Sequence, residues 1–541
     1  MHSIPYHKLR FLVADDFSSF RNTIGSMLTS LGVVSVDMAA NAKEVLELCQ
    51  LHYYDVILCD YNLGSGRTGQ HALEELRYRG LIDRKQVFIL ISAEASRNIV
   101  MAAYDCAPDD YLMKPITARM LQQRIDRLLR QSQVMAPVYR ALADHDFESA
   151  EDKLVEMALA EDRYSSFAQK LLGELFLEQG QLNKAEKLYT HALEIRPLDW
   201  ARLGLARVKQ LRGELDVAGE WLERIVDEAP LYLPAYDALA ENWEKKGQKH
   251  QVQHTVQKAV DISPMSILRQ KRLADVAEDN SDVETAIRAL RRTLKLGELS
   301  CHARAEDHFR FARAVTLGLE REMDLDRNAG NEAIIALNEA KQRYELSESQ
   351  LAQCDLLGCR LHTLAGNHQA AEGLFQAASE RFANTPLDID AELERVSTLL
   401  VLDKQAEAER LLEELKVRFA DDEEALEKLD AFLNEPVSEA NRNLVAEINR
   451  EGIKLYEKGA FDDALASFER ARKLFPKHVG IQLNIAQAFI GKLRRDSSDV
   501  TARENCFLTL NYVDTLIDEN DPQYRRFKQL RNMAKQTRDA G

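Results

Sequence analysis

The sequence predicts an α/β doubly wound domain with five parallel strands over about the first 130 residues, followed by an all-α solenoid of helical repeats. Two observations carry this expectation. Up to about residue 130, short apolar runs of strand length alternate with amphipathic stretches of helix length, the pattern of a parallel sheet covered on both faces. From about Val134 the strand signal disappears, and helical stretches broken at short intervals repeat with a period near 34 residues.

The strands are expected at residues 9–14, 34–39, 55–59, 87–92 and 110–113, each short and β-branched or apolar enough to be buried. The amphipathic stretches between and after them cover residues 20–31, 42–51, 69–79 and 117–129. What stands at the end of each run matters more. Asp15 and Asp16 follow the first, Asp60 follows the third, Ser92 closes the fourth and Lys114 follows the fifth. Open parallel sheets place their sites at the carboxyl ends of strands, so these side chains are expected to meet.

Three acids at one sheet edge repel one another and are costly unless a cation sits among them. A hard divalent ion such as Mg²⁺, which takes one or two carboxylates plus phosphate oxygens and waters, meets that need. One carboxylate can then attack phosphorus and form an aspartyl phosphate. The new phosphoryl charge calls for a cation and a hydroxyl donor, which Lys114 and Ser92 supply.

With these residues in place, the segment from about residue 5 to 132 resembles the receiver domain of bacterial response regulators. The resemblance implies Asp15 and Asp16 as the acidic pair, Asp60 as phosphoacceptor, Ser92 as switch hydroxyl, Tyr111 as switch aromatic and Lys114 as the site lysine, with a cis bond to the following Pro115. It also implies that the Asn62 backbone carbonyl completes the metal shell beside Asp15, Asp16 and Asp60. One departure is Gly64, where the family often has proline, in a loop about one residue long by comparison. The same loop holds Gly64-Ser65-Gly66-Arg67-Thr68-Gly69, which matches a dinucleotide fingerprint, but the next strand closes on Ser92 rather than on an acid, so a solvated loop is expected.

In the second half the clearest unit is Leu172-Gly173, Phe176, Gly180-Gln181-Leu182, Ala185, Tyr189, Ala192 and Pro197, and the next units end at Pro230 and Pro264. Its spacings resemble the tetratricopeptide (TPR) consensus. Worn units follow around Leu273-Ala274 with Ala286 and Leu290, around Gly366, Ala371, Phe375 and Ala378, and around Ala408 and Leu412. A sharp one runs through Gly452, Tyr456, Gly459, Phe461, Ala464, Phe468, Ala471 and Pro476, continuing into Ile485-Ala486 and Phe489, and one around Phe147, Ala150 and Leu154 opens the array. Eight to ten units are expected, with a hinge in one bent array near residues 420–443, where Asp421 to Glu424 and Glu435-Pro436 fit least well. Tyr189, Phe375 and Phe468 read as core. A carboxylate-clamp role is not expected of Lys170, because Glu174 stands where that clamp would want asparagine. The expected domains are thus 1–132 and 133–541.

Composition narrows the function. Residues 1–130 hold 15 basic and 15 acidic residues, so the net −17 belongs to the remainder, with 56 basic and 73 acidic residues. That argues against a nucleic-acid partner, which needs a basic footprint. Seven scattered cysteines without C-x-x-C point to a reducing cytoplasm rather than disulfides or zinc. The apolar runs are too short to span a bilayer, and no signal-peptide core precedes the first strand.

The expected function is therefore that of a two-component response regulator, phosphorylated on Asp60 by a histidine kinase with Mg²⁺. The phosphorylation state would gate protein binding by the repeats, to a sensor kinase, another regulator or a surface assembly. The rival reading is a phosphate sink that drains a shared kinase, with the repeats as a scaffold. No nucleophile or metal constellation after Pro115 suggests a separate enzyme. Asn62 and Glu94, two positions past Asp60 and Ser92, border the path of the hydrolytic water in receivers, so a short-lived acyl phosphate is expected.

Overall fold

The computed structural model describes residues 4–539 apart from 65, 94–100, 102–104, 161, 434–435, 496–498 and 518–520. It separates into two compact units, Met1–Ala340 and Lys341–Gly541.

The first unit opens with the expected five-stranded sheet. Its strands are β1 (Arg10–Ala14), β2 (Ser35–Ala39), β3 (Val56–Asp60), β4 (Val87–Ser92) and β5 (Asp110–Met113), all parallel, in the order β2-β1-β3-β4-β5. Helices α1 (Ser18–Ser30), α2 (Ala42–Leu51) and α3 (Gly69–Tyr78) cover it together with α4 (Ala118–Ala143). β3 and β4 are buried on both faces, which is why their sequences are uninterrupted apolar runs rather than alternating ones. β2 starts at Ser35 instead of residue 34, and Val34 is exposed on this sheet edge. One apolar layer joins Phe11, Ile24 and Ile89 to Leu121 and Ile125 of α4, and the other joins Ile57, Phe88 and Leu90 to Val45 of α2 and Leu73 of α3.

The end of α4 differs from expectation. The amphipathic stretch expected over residues 117–129 extends further, in a helix that runs unbroken to Ala143 with Pro137 inside it. Proline in a helix interior forfeits one backbone hydrogen bond and costs about 3 kcal/mol. Met135 and Val138 offset that cost, since both are fully buried against Leu154, Ala168 and Leu172 of the first repeats. A single helix thus packs on the sheet with one half and on the repeats with the other.

Beyond α4 every described element is a helix. In the first unit consecutive helices pack against one another, and residues with positive φ stand in the turns between paired helices: His145, Gly180, Gly213, Gly247 and Ser281, at intervals of 33 to 35 residues. Tyr189 shows why the repeats need small residues. Its ring is buried between Gly173 and Gly204, where an added Cβ would lie 2.5 and 2.3 Å from ring atoms.

In the second unit Phe468 is held in the same way, with the position of a Cβ on Gly452 only 2.4 Å from its ring. Phe375 is partly buried against a neighbouring cluster. Within residues 420–443, helices Glu423–Leu433 and Glu439–Glu457 are joined through the buried Asp430 carboxylate, which accepts the Ser438 N–H (3.1 Å) and the Asn441 side-chain amide (2.9 Å). Glu435 lies outside the described residues.

This packing separates two kinds of glycine. Gly204→Ala should lower the urea midpoint by the equivalent of about 1–3 kcal/mol, because the Tyr189 ring has no room to yield. Gly373→Ala, in a helix with no heavy atom within 4 Å of the new Cβ, should raise it slightly, by about 0.5–1 kcal/mol. Shifts of the same sign in chemical denaturation would contradict the proposed role of the Tyr189 slot.

Candidate functional site

The site forms where the strand order reverses. β1 lies between β2 and β3, so helices leaving β1 and β3 turn to opposite faces and open a crevice at the carboxyl ends of these two strands. Asp15 and Asp16 follow β1 on one side of that crevice, and Asp60 is the last residue of β3 on the other. β4 and β5 bring Ser92 and Lys114 to the same edge: Ser92 pairs with Met113, and its carbonyl accepts the Lys114 N–H at 2.8 Å.

Lys114 organises the centre. Its ammonium lies 2.8 Å from Asp15 Oδ2 and 2.7 Å from Asp60 Oδ1, and its third side faces the Phe20 ring, 3.9 Å from the centroid. The Asp15 side chain is fully buried and its other oxygen accepts the Phe17 N–H at 2.8 Å. The second Asp60 oxygen accepts the Asn62 N–H at 3.1 Å. Burial raises the Asp60 carboxyl above its ordinary pKa against the pull of Lys114. For Lys114, burial alone would lower the value, but the hydrogen bonds to Asp15 and Asp60 outweigh it and hold the ammonium charged.

One ammonium serves two of the three acids. Among the described residues Asp16 Oδ1 is buried without a hydrogen-bond partner. A divalent ion coordinated by oxygens would satisfy that atom and offset the charge left over, so Asp15, Asp16 and Asp60 fit Mg²⁺, the ion that receiver domains generally bind at their phosphorylation site.

The loop after Asp60 follows from its glycines. Gly64 has φ +84°, where proline, fixed near −65°, could not stand; this accounts for the departure from the receiver pattern. The Gly64 N–H donates to the Asn62 side-chain oxygen at 3.3 Å. Gly69 fits directly against the end of β3: a Cβ there would sit 2.1 Å from the Asp60 carbonyl oxygen, and its N–H donates to the Tyr61 carbonyl at 2.8 Å. This glycine spacing therefore packs α3 onto the sheet, a close approach that the dinucleotide pattern merely resembles. Tyr111 pairs with Leu90 and is partly buried against the layer holding Leu90 and Cys106. The Lys114-Pro115 bond is cis, as the resemblance implied. Glu94 lies outside the described residues.

Sequence reading missed Phe20, whose contact with Lys114 carries no spacing signal, and it missed a contact between the receiver and distant repeats. Glu74 of α3 comes together with Cys301 and His302, their ligand-type atoms within 4.8 Å of one another. Glu74 Oε1 already accepts from the Cys106 thiol (3.0 Å) and the Gln70 amide (3.2 Å), so the trio serves as a contact.

Both halves of the chain resemble known proteins. Residues 11–126 match the response regulator receiver domain family, and residues 170–232 and 449–495 match a tetratricopeptide repeat family. The chain carries an N-terminal CheY-like receiver domain followed by TPR repeats, and the receiver indicates a two-component response regulator. Relatives include chemotaxis protein CheY of Pseudomonas aeruginosa, 28% identical over 120 residues that make up 22% of this chain and 95% of that protein. Chemotaxis protein CheY-3 of Vibrio cholerae is 27% identical over 128 residues, 24% of this chain and 97% of that protein. Among solved structures, a CheY-like receiver domain protein from Methanospirillum hungatei aligns at 25% identity and a TM-score of 0.21, covering 23% of this chain and 96% of that one.

The orphaned carboxylate oxygen gives a metal test that does not depend on phosphorylation. Without metal, Asp16→Asn should raise the melting temperature of the chain, since it removes one of three clustered charges. Mg²⁺ at ten times its dissociation constant should stabilise the wild type by about 1.4 kcal/mol and the variant far less. Equal Mg²⁺ stabilisation of both proteins in a thermal scan would remove Asp16 from the site.

Proposed function

We propose that the chain is a phosphorylation-gated protein-binding regulator, in which a histidine kinase transfers a phosphoryl group to Asp60 with Mg²⁺ held by Asp15, Asp16, Asp60 and the Asn62 carbonyl. The observation that carries this reading is Lys114 held between Asp15 and Asp60 beside the unpartnered Asp16 oxygen. An Asp60 carboxylate oxygen attacks phosphorus in line, and the bond to the donor's leaving group breaks. Mg²⁺ supplies charge neutralisation when bound. Lys114, already at 2.7 Å from the attacking carboxylate, neutralises charge on the phosphoryl oxygens, and the Ser92 hydroxyl at the end of β4 donates to one of them.

The switch then passes through β4 and β5. Drawing Ser92 toward the phosphoryl group moves the end of β4, and Tyr111, whose backbone pairs with Leu90 of the same strand, reorients with it. The output is protein binding by the repeats, whose acidic balance disfavours nucleic acid. Direct contact between receiver and repeats within the first unit favours this over a phosphate sink with a passive scaffold. The chain acts as a regulator in the cytoplasm and not as a separate enzyme; among the described residues no helix is long and apolar enough to cross a membrane.

Asp60→Asn, nearly isosteric, should abolish Mg²⁺-dependent phosphoryl uptake from acetyl phosphate while leaving the circular-dichroism spectrum unchanged. Normal labelling of the variant would move the phosphoacceptor elsewhere. In the wild type the acyl phosphate should decay quickly, and Asn62→Lys and Glu94→Ala should slow it. A long-lived label on the wild type, or decay indifferent to both changes, would overturn the short lifetime and favour a slow, latched switch.

A further inference from the structure

The repeats of the first unit hold part of the receiver in a built site. Met101 and Asp105 are helical residues on the segment that leaves β4 at Ser92 and enters β5 at Asp110. They stand four positions apart in the sequence. Met101 is buried in the same apolar cluster as Leu203 and Ala206 of helix Asp199–Leu211 and Tyr236 and Leu239 of helix Leu233–Lys245. These helices belong to different repeats, so the methionine enters a groove between them.

Asp105 is received by a prepared cation. Arg269 donates to Asp105 Oδ1 through Nε (3.2 Å) and Nη2 (3.0 Å), and the Ser263 hydroxyl donates to Oδ2 at 2.6 Å. Ser263 is fully buried. Arg269 is itself fixed by Asp237, with Nη1 to Oδ1 at 2.7 Å and Nη2 to Oδ2 at 3.1 Å. The guanidinium would therefore keep one carboxylate and stay aimed if Asp105 left, and it would lose the other hydrogen bonds together with the Ser263 hydroxyl. A buried donor without a partner is costly, so a vacated groove selects a ligand that restores both contacts.

We infer that the groove formed by helices Asp199–Leu211, Leu233–Lys245 and Ile267–Asp279 is a peptide-binding site of these repeats. Its ligand is a helical protein segment with an apolar side chain followed four positions later by a carboxylate, and the receiver's own Met101 and Asp105 occupy it as an internal copy of that ligand. A repeat half with excess acid would otherwise repel an acidic segment; Arg269 and Ser263 supply the local exception. Because the internal copy is tethered, an external ligand competes against an effective concentration on the order of millimolar. Its apparent affinity falls by the fraction of time the groove is free.

Release rests on the proposed gating by Asp60. The segment begins beyond Ser92, the residue drawn toward the phosphoryl group, and its far end is tied to α3, where Arg77 donates to the Cys106 and Ala107 carbonyls. A second contact, Tyr78 of α3 against Arg304 and His302, lies at the same junction.

The test uses a fluorescein-labelled synthetic peptide copying residues 96–108, with anisotropy measured against the full chain. Met101→Ala/Asp105→Ala in the chain should bind the peptide about 10- to 100-fold more tightly than wild type, since it removes the competitor. Adding Arg269→Ala to that chain should cost tenfold or more, as should Asp105→Ala in the peptide, with circular dichroism confirming that each chain is folded. Absence of binding by the double variant, or binding indifferent to Arg269, overturns the site. Mg²⁺ with beryllofluoride, a mimic of the acyl phosphate, should move wild type toward the double variant. If the double variant binds with the predicted Arg269 dependence while beryllofluoride changes nothing, the site stands and the gating by Asp60 fails.

Discussion

The structure depends on one ammonium group. Three carboxylates converge at the end of the sheet because β1 and β3 are neighbours, and in the absence of a counter-charge their repulsion would open that edge. Lys114 reaches back from the end of β5 to bind Asp15 and Asp60 at once, and the Phe20 ring closes over it. The same bond that stabilises the edge ties β5 to the candidate phosphoacceptor. Any change in the charge of Asp60 is therefore felt at β5 and, through the Ser92 carbonyl that accepts the Lys114 N–H, at β4. In the proposed switch the carboxylate cluster is thus both the chemical centre and the mechanical link.

What lies beyond β4 and β5 gives that link a direction. The segment between them contributes Met101 and Asp105 to a groove on the repeats, while α4 runs without a break from the sheet into the first repeat. The continuous helix fixes where the receiver stands. The groove contact, which rests on one apolar side chain and one carboxylate, is the smaller of the two and the one that a local displacement can break. A rigid attachment beside a weak, specific one is what a switch between two discrete arrangements requires.

Much of this was legible in the sequence because strand ends are local. The apolar runs before Asp15, Asp60 and Lys114 each fix a strand, and the rule that sites lie at carboxyl ends then brings the residues together. Phe20 was not legible, since nothing in its spacing distinguishes a ring over an ammonium from a core residue of α1. The course of α4 beyond residue 129 was not legible because Pro137 argues against a helix interior, and only burial of Met135 and Val138 in a neighbouring repeat outweighs it. The turns at His145 and Ser281 carry no glycine to announce their positive φ, and the units beside them were read from Ala150, Leu154, Ala274 and Ala286 instead. The Arg269–Asp105 pair joins residues 164 positions apart, and no one-dimensional period reports such a contact.

The central claim is that the charge state of Asp60 controls whether the receiver segment stays in the groove. Hydrogen exchange of the full chain, measured by mass spectrometry with and without Mg²⁺ and beryllofluoride, tests it most directly. Activation should speed exchange over residues 105–110 of the receiver and over residues 263–269, the two sides of the groove contact, while α4 remains protected. Exchange that changes only around Asp60, with both sides of the groove contact unaltered, would contradict the account.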